Sequence, residues 1–527
     1  MTNTPTPAAP GDRLFRIAFV ALLVLQCLPL WIFPYAPSQD GPSHLHNAHV
    51  LAQYSAEPIY QQYYELTMTT AGNMLTQFLL AGMMKFISPL LAGKILLTSY
   101  VVLLFVSFRY LLRALTPYAE PFALFAGILA PNWFQFVGFW NFLFSIPLTF
   151  LVVGYVYRRL PTKWTLPKLA VLSAASVILY MAHALSWGLC GLAIGVFALV
   201  RIVAAWPDRA AALSRLLENS KMIGAYLPPA LLALAHVAKP GAAACVSAPQ
   251  SLRERLWPLY NLSILHTLGP ADFTLARAVV LLLVAVTAFA VWYGYTRRCF
   301  AREGTGVLVI SLLYLGLSLF GPDCIGEGLF IRRREELYVC AFFVLWLAAG
   351  LRLWPEWAVR GVAAGFFAIT AITFAIHLPT LSSWNTQLSD AVTLSHAIPP
   401  QSTVLGLRTE PSQGNFDPLR HAAGLLADRP IILLKNYEAA TSHFLTYFRA
   451  GHSPFPSLGT LSQLESSTPV FDVARYEQQT RGRVDYVLLA GEDAPAVRAQ
   501  LTGFARIGST PNNRIHLYQR LRPHLEQ

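Results

Sequence analysis

Apolar stretches of about 20 residues recur between residues 14 and 377, and they limit the fold more than any other feature of the chain. Each stretch can cross a hydrocarbon core about 30 Å thick. Inside a bilayer every backbone polar group needs a partner within the protein, so only helices and closed barrels span it. The stretches are continuous rather than alternating in polarity, which predicts a bundle of transmembrane helices.

The composition agrees with a polytopic membrane protein. Of 527 residues, 55% are hydrophobic and only 13% are charged, and the mean hydropathy is +0.47. A soluble domain carries about a quarter charged residues. The net charge of +12 does not indicate a nucleic-acid partner, because much of the Lys and Arg falls in short loops at helix ends. That pattern is typical of cytoplasmic loops.

About 11 to 12 transmembrane helices are expected from these stretches. The predicted spans are 14–34, 95–112, 120–137, 139–157, 166–182, 184–204, 222–238, 274–295, 304–320, 336–351 and 358–378. The first has no small-x-small cleavage site before Pro34, so it is an uncleaved helix rather than a signal peptide. The apolar stretch 74–87 is short and carries polar residues, which predicts a re-entrant or interfacial helix.

The basic loops set an orientation only if 74–87 does not cross the membrane. The N-terminus is then cytoplasmic, and the first loop (34–94), a loop at 239–273 and a short loop at 321–335 face outward. The C-terminal region faces outward too. Cys245 and Cys324 are the only cysteines in outward loops, so a disulfide between them is a hypothesis for an oxidising compartment.

The apolar runs become shorter after residue 378. Short strand-like runs alternate with helical stretches at 418–426 and 494–503, which predicts a small soluble α/β domain. The predicted domains are therefore 1–378 in the membrane and 379–527 in the periplasm. The second is interpreted as a structural or substrate-guiding cap rather than an independent enzyme. Its predicted strands are 403–407, 430–434, 484–489 and 515–520.

The segment after the first helix carries the most informative residues. Asp40 stands at the predicted membrane edge, and Gly41-Pro42 marks a turn that opens a short helix from His44 to Tyr54. Burial raises the pKa of a carboxyl group and a nearby cation lowers it, so such an Asp can act as a general base. The alternative is that Asp40 only caps the turn.

This layout resembles the C-type glycosyltransferase superfamily (GT-C), which includes protein O-mannosyltransferases and lipid A aminoarabinose transferases. The resemblance lies in the acidic first loop, its surface helices, the many spans and the outward C-terminal domain. The residues that carry it are Asp40 to His44, Asn73 to Phe86 and Arg109 to Arg113. It implies a donor sugar on a polyprenyl phosphate or diphosphate, with Asp40 as base or acceptor-positioning group.

The resemblance also implies a second acidic residue in a later outward loop. The turn at 139–141 offers Asn141 and no acid. Asp272, Asp323 and Glu327 are the alternatives, and the sequence does not choose among them. This departure weakens the case for a metal-assisted mechanism.

Three arginines, Arg332 to Arg334, lie in a predicted outward loop against the positive-inside trend. The planar guanidinium group suits phosphate, so they are candidates for the donor phosphate. On one helix they cannot share a face, so only one or two can reach it. Contact with anionic lipid, or pairing with Glu335 and Glu336, are the alternatives.

Histidines and an asparagine complete the predicted substrate-binding set, which comprises His44, His46, Asn141 and His183. His46 and His49 share a helix face, and with a carboxylate they could hold a divalent metal. Hydrogen bonding is the commoner role of such histidines, so no metal ligand is assigned. His183 is expected at membrane depth, where it lines a substrate path or caps a helix.

Three functions are consistent with these features. The first is an inverting membrane glycosyltransferase of the bacterial inner membrane, which uses a polyprenyl-linked sugar and a glycan, lipid or protein acceptor. The second is a lipid or polysaccharide flippase, which should show internal repeats and midplane charges. The third is a non-catalytic envelope scaffold.

Overall fold

The computed structural model describes residues 10–68, 70–237, 250–265, 267–301, 303–325, 328–410, 417–441 and 444–521. Helices dominate up to residue 395. They are α1 Pro10–Ile32, α2 Gly41–Gln53, α3 Pro58–Tyr63, α4 Leu75–Met83, α5 Pro89–Leu115, α6 Ala126–Leu129, α7 Trp133–Val137, α8 Trp140–Arg159, α9 Leu166–Ala182, α10 Ala184–Ala204, α11 Arg209–Val237, α12 Leu252–Tyr260, α13 Ala271–Arg297, α14 Glu303–Phe320, α15 Ile331–Ala349 and α16 Glu356–Ser395. A short strand, β1 (Tyr64–Leu66), follows α3.

Within the described residues, six helices are long and apolar enough to cross a membrane, namely the Arg13–Ile32 part of α1 and helices α5, α8, α10, α13 and α16. The apolar helices Leu166–Ala182 and Gly304–Phe320 are shorter. Large hydrophobic side chains on these helices, such as Leu14, Leu281 and Val284, point outward and are exposed in the isolated protein. Lipid contact accounts for that exposure, so the chain is a membrane protein.

The predicted span at 120–137 is not one continuous helix. These residues form a 3-10 helix (Glu120–Phe125) and the separate helices α6 and α7. The interruption has a local cause, because Pro131 lacks an N–H group and Asn132 starts a new helix. The Asn132 Oδ1 atom accepts a hydrogen bond from the Phe134 N–H at 2.9 Å.

The apolar stretch at 74–87 forms only the nine-residue helix α4. At 1.5 Å per residue this helix is about 14 Å long, roughly half of a hydrocarbon core. Its length therefore supports the expectation that the stretch does not cross the membrane.

Helix α16 has 40 residues, and the predicted domain boundary at 378/379 falls inside it. Such a helix is about 60 Å long, so roughly half of it extends beyond a bilayer. The extension leads directly into the C-terminal region, and Leu388 and Ala391 in it are buried.

The C-terminal region is an α/β domain, as the alternating pattern predicted. Its elements are β2 Thr403–Arg408, β3 Ile432–Leu433, β4 Thr446–Phe448, α17 Leu461–Leu464, α18 Val473–Gln479, β5 Tyr486–Ala490, α19 Pro495–Arg498, β6 Phe504–Ser509 and β7 Ile515–Arg520. Five strands form one sheet in the order β3-β2-β5-β7-β6. The first three are parallel, and β7 is antiparallel to both of its neighbours.

The C-terminal domain is docked on the first loop. Helix α2 packs against α4 and α5 and against a 3-10 helix of the C-terminal domain (Ala422–Leu426). Strand β1 of the loop pairs with β4, with Tyr64 opposite Phe448. Gly424 permits close approach, because a Cβ there would overlap the carbonyl group of Pro42. Residues far apart in sequence therefore share one buried interface.

The structure bears on only one of the two cysteines of the predicted Cys245–Cys324 disulfide. Cys324 is disulfide-bonded, whereas Cys27, Cys190, Cys299 and Cys340 are free. Cys245, the predicted partner, lies outside the described residues.

Candidate active site

Asp40 directly precedes α2, but its carboxylate does not cap the helix. The Ser38 hydroxyl accepts the hydrogen bond from the Gly41 N–H instead, at 3.3 Å. The Asp40 backbone is anchored separately, because its N–H donates to the Val137 carbonyl at 2.9 Å. The capping alternative is therefore wrong, and the carboxylate is left for another role.

The Asp40 side chain is buried between the first loop and the C-terminal domain, with 7% of the residue exposed. The Gln39 amide donates to Asp40 Oδ1 at 3.2 Å, and His421 Nε2 lies 3.6 Å from the same oxygen. Burial raises the pKa of Asp40 to about 6, against the lowering effects of His44 and Gln39. This value suits a group that takes up a proton near neutral pH.

His44 is held by acceptors on both sides of its ring. Its Nε2 atom lies 2.8 Å from the Gly138 carbonyl, and its Nδ1 atom lies 2.8 Å from Glu438 Oε1. Burial alone would lower the pKa of His44, but the Glu438 carboxylate outweighs it, so the pKa is raised. The Glu438 carboxylate at ion-pair distance from Nδ1 therefore favours the imidazolium cation.

Glu438 is the acidic residue that sequence reasoning missed. It is fully buried, and the Gln77 amide of α4 donates to its second oxygen at 2.8 Å. The sequence had offered Asp272, Asp323 and Glu327 as candidates for the second acidic residue. A signal for Glu438 existed, because it follows the predicted strand at 430–434, and carboxyl ends of parallel strands are common ligand sites.

The two described candidates for the second acid, Asp272 and Asp323, lie away from Asp40. Asp272 contacts His377 at 2.6 Å and accepts backbone hydrogen bonds from residues 267–269. Asp323 accepts from the Arg332 backbone N–H at 3.4 Å. Glu327 lies outside the described residues. Asp272 thus has a structural role at the start of α13.

His46 and His49 lie on the face of α2 opposite to His44. The His49 Nδ1 atom is 3.0 Å from the Tyr60 hydroxyl, and the His46 ring packs on Tyr60 and Tyr64. Burial lowers the pKa of His46 to about 3, so the ring is neutral. Within the described part of the chain, no group of three His, Cys, Asp or Glu side chains is arranged to hold a metal. These two histidines pack among tyrosines, which does not fit a metal site with Asp40.

Asn141 uses both ends of its amide to hold α4. Its Oδ1 atom accepts from the Thr76 N–H at 2.8 Å, and its Nδ2 atom donates to the Asn73 carbonyl at 3.0 Å. The residue therefore positions α4, and with it Gln77, rather than offering a free group to a substrate.

His183 lies at the junction of α9 and α10, and its ring packs edge-on against Phe142 at 5.3 Å. The same Phe142 ring is contacted by the Arg334 guanidinium at 5.5 Å. His183 therefore lies near the arginine cluster rather than beside Asp40.

The three arginines point in different directions, as their spacing on a helix requires. Arg332 hydrogen-bonds Gln250 and lies 3.8 Å from Glu336. Arg333 covers the Trp133 ring at 4.3 Å, and Arg334 covers Phe139 at 5.1 Å. Among the described residues, Arg333 and Arg334 have no carboxylate within ion-pair distance. These two are the better phosphate candidates.

Asp40 and the arginines meet the same stretch of chain, residues 133–142. Asp40 binds the Val137 carbonyl of this stretch, and His44 packs on its Trp140 ring at 5.5 Å. Arg334 contacts Phe139 and Phe142 of the same stretch. The broken segment between α7 and α8 thus lies between the two predicted halves of the site.

The C-terminal domain carries buried cations near the site, and the charge of Arg420 acts on Asp40. Arg420 pairs with Glu465, and Arg408 pairs with Asp417. Lys435, in contrast, is buried without a close acidic partner among the described residues. None of these cations was predicted as a site residue, because the C-terminal domain was interpreted as a cap.

Comparisons with known proteins support the fold. No family model matches the chain, and no curated protein matches its sequence. Among solved structures, ArnT from Cupriavidus metallidurans bound to undecaprenyl phosphate matches with a TM-score of 0.59 and 12% identity, over 97% of this chain and 98% of ArnT. The oligosaccharyltransferase AglB from Archaeoglobus fulgidus, in complex with an inhibitory peptide and a dolichol-phosphate, matches with a TM-score of 0.43 and 12% identity. That match covers 92% of this chain and 70% of AglB. The near-complete overlap with ArnT shows that this chain has the same fold as ArnT.

Proposed function

We propose that the protein is an inverting membrane glycosyltransferase that moves a sugar from a polyprenyl-phosphate or -diphosphate donor to an acceptor. The ArnT structure of the same fold contains undecaprenyl phosphate, which supports a lipid-phosphate ligand. The reaction takes place at the periplasmic face of the bacterial inner membrane. The basic residues of alternate helix connections support this orientation.

The observation that carries the proposal is that the Asp40 carboxylate is buried and does not cap α2. A carboxylate that served only α2 would bond the first turn of the helix, and Ser38 does so instead. Its raised pKa and its enclosure by the C-terminal domain are features of a general base. The acid stands where the loop, the broken helix and the C-terminal domain meet.

The transfer step follows from this placement. The acceptor hydroxyl gives its proton to the Asp40 carboxylate while its oxygen forms a bond to the anomeric carbon of the sugar. The bond between that carbon and the phosphate oxygen breaks, and its electron pair leaves with the polyprenyl phosphate. Attack opposite to the phosphate inverts the anomeric centre.

Two further groups of residues support the step. His44 and Glu438 are positioning residues, because they fix the α2 N-terminus and the charge beside Asp40. Arg333 and Arg334 present guanidinium groups on aromatic rings, where they can hold the departing phosphate.

Release of sugar from a labelled donor tests the function itself. The purified full-length protein is incubated with undecaprenyl phosphate carrying a radiolabelled sugar and with a crude envelope fraction as the source of acceptor. Transfer of label to the acceptor fraction, with release of undecaprenyl phosphate, is expected. A flippase or a scaffold would leave the donor intact, and that result would reject the proposal.

A further inference from the structure

A cavity lies in the C-terminal domain, at the carboxyl ends of its parallel strands. Gly406 and Leu407 of β2 and Ala490 of β5 line it, and Lys435 enters it just after β3. In open α/β sheets ligands bind outside the carboxyl ends of the strands. The position of the cavity is therefore that of a ligand site.

Two cations contribute to a largely apolar cavity wall. These cationic side chains are Lys435 and Arg420, and His421, Ser43 and Asn436 also contribute to the wall. Burial and the two neighbouring cations hold the pKa of His421 well below its ordinary value, so its ring is neutral. The Arg420 charge is offset by Glu465, and Arg408 nearby is offset by Asp417. The Lys435 ammonium has only longer-range attraction to Glu465 and Asp417, although the residue is just 6% exposed.

A buried ammonium group without a close partner is costly. Burial lowers the pKa of Lys435 to about 8, so most of the population is still charged at neutral pH. Within the described residues no carboxylate lies within ion-pair distance of it. An anion in the cavity would supply the missing partner.

We propose that this cavity binds an anionic group, a phosphate or a carboxylate, of a substrate, with Lys435 as its main contact and Arg420 beside it. That the ligand is a substrate rests on the proposed function. His421 connects the two places, because it lines the cavity and its Nε2 atom lies 3.6 Å from Asp40 Oδ1. The anionic group would therefore be held next to the reacting centre.

The anion could belong to either substrate. Arg333 and Arg334 lie on the other side of residues 133–142 and are the candidates for the donor phosphate. A separate anion site in the C-terminal domain then fits an acceptor that carries a phosphate or a carboxylate. The alternative source is the phosphate of the lipid donor itself.

Phosphate binding to the full-length protein in detergent tests the site without requiring turnover. Inorganic phosphate is the first probe, and Lys435→Met should weaken its binding about tenfold to a hundredfold. Lys435→Arg should retain most of the affinity. Lys163→Met, at an exposed lysine on the predicted cytoplasmic side, should not change it.

Undecaprenyl phosphate is the second probe, and it identifies the source of the anion. If Lys435→Met weakens binding of both probes, the cavity holds the donor phosphate. If only inorganic phosphate is affected, the cavity serves the acceptor. The proposal is overturned if Lys435→Met changes neither.

A measurement on the unaltered protein covers the case that Lys435→Met does not fold. Acetylation of the Lys435 amine by acetic anhydride is followed by mass spectrometry, with Lys163 as internal reference. Added phosphate should slow labelling of Lys435 alone, and equal labelling with and without phosphate would contradict the site. If phosphate binds but no sugar is transferred, the glycosyltransferase proposal fails while the anion site stands.

Discussion

His44 Nδ1 in the first loop lies 2.8 Å from Glu438 Oε1 in the C-terminal domain, and both side chains are almost fully buried. This contact joins the two parts of the chain at the proposed reacting centre. Gln77 completes it by donating to the second oxygen of Glu438 at 2.8 Å. The C-terminal domain is thus a structural part of the site.

The losses of stability caused by replacing His44 and by replacing Glu438 should not be additive. Glu438→Ala leaves the His44 ring without its ion-pair partner and the Gln77 amide without its acceptor, so we expect a loss of about 3–5 kcal/mol in the free energy of unfolding. A double-mutant cycle with His44→Ala should give a coupling energy of about 1–3 kcal/mol. Thermal or denaturant unfolding in detergent measures both. Strict additivity would show that the pair does not hold the C-terminal domain in place.

The rate of transfer should depend on pH through Asp40. Its pKa of about 6 means that the proton-accepting form is lost as the pH falls through 6. We expect kcat/KM to fall about tenfold per pH unit below that value and to level off above it. Gln39→Leu removes a hydrogen bond that lowers the pKa of Asp40, so it should move this limb to higher pH.

A matched control separates this effect from a general change in the protein. Gln387→Leu, on the extension of α16, should leave the pH profile in place. A limb that stays fixed in Gln39→Leu would assign the titration to another group.

Gly424 should be essential for docking of the C-terminal domain. A Cβ at this position would overlap the backbone carbonyl of Pro42, which cannot move without displacing α2. We expect Gly424→Ala to cost about 1–3 kcal/mol and to expose the junction to limited proteolysis. Gly82→Ala is the control, because nothing lies within 4 Å of the Cβ it would add. Equal behaviour of the two variants would argue against a tight interface.

Arg334 should contribute to donor binding. Arg334→Leu removes a charge-assisted contact to phosphate, so the Kd for undecaprenyl phosphate should rise about tenfold to a hundredfold. Arg334→Lys should restore affinity only in part, because an ammonium group lacks the planar stacking on Phe139. Arg253→Met, at an exposed arginine of a predicted outward loop, is the control. Unchanged affinity in Arg334→Leu would place the donor phosphate elsewhere.

Local sequence patterns predicted those parts of the fold that depend on neighbouring residues. The recurring apolar stretches predicted the long helices, and Gly41-Pro42 marked the start of α2. The helical spacing also separated His44 from His46 and His49. The break in the helix at 120–137 has a local cause too, since Pro131 and Asn132 end one helix and start another within an apolar stretch.

The rest depends on contacts between distant parts of the chain. Asp40 was identified by its position after the first helix, but Glu438, His421 and Lys435 reach the site only because the C-terminal domain docks on α2. A single sequence shows the strand pattern of the C-terminal domain, but it does not show which face of that domain docks on the first loop. Asn47 shows the same limit, because its reciprocal hydrogen bonds with Asn436 join two segments that no local pattern connects.

The central claim is that Asp40 takes the proton of the acceptor. The most direct measurement is the single-turnover rate of sugar transfer by enzyme already loaded with labelled donor. Asp40→Asn should lower this rate about 10²–10⁴-fold while the donor Kd stays the same. Asp390→Asn, the same change on the α16 extension, should react like the unaltered protein. An Asp40→Asn enzyme that folds, binds donor and transfers sugar at the full rate would contradict the account.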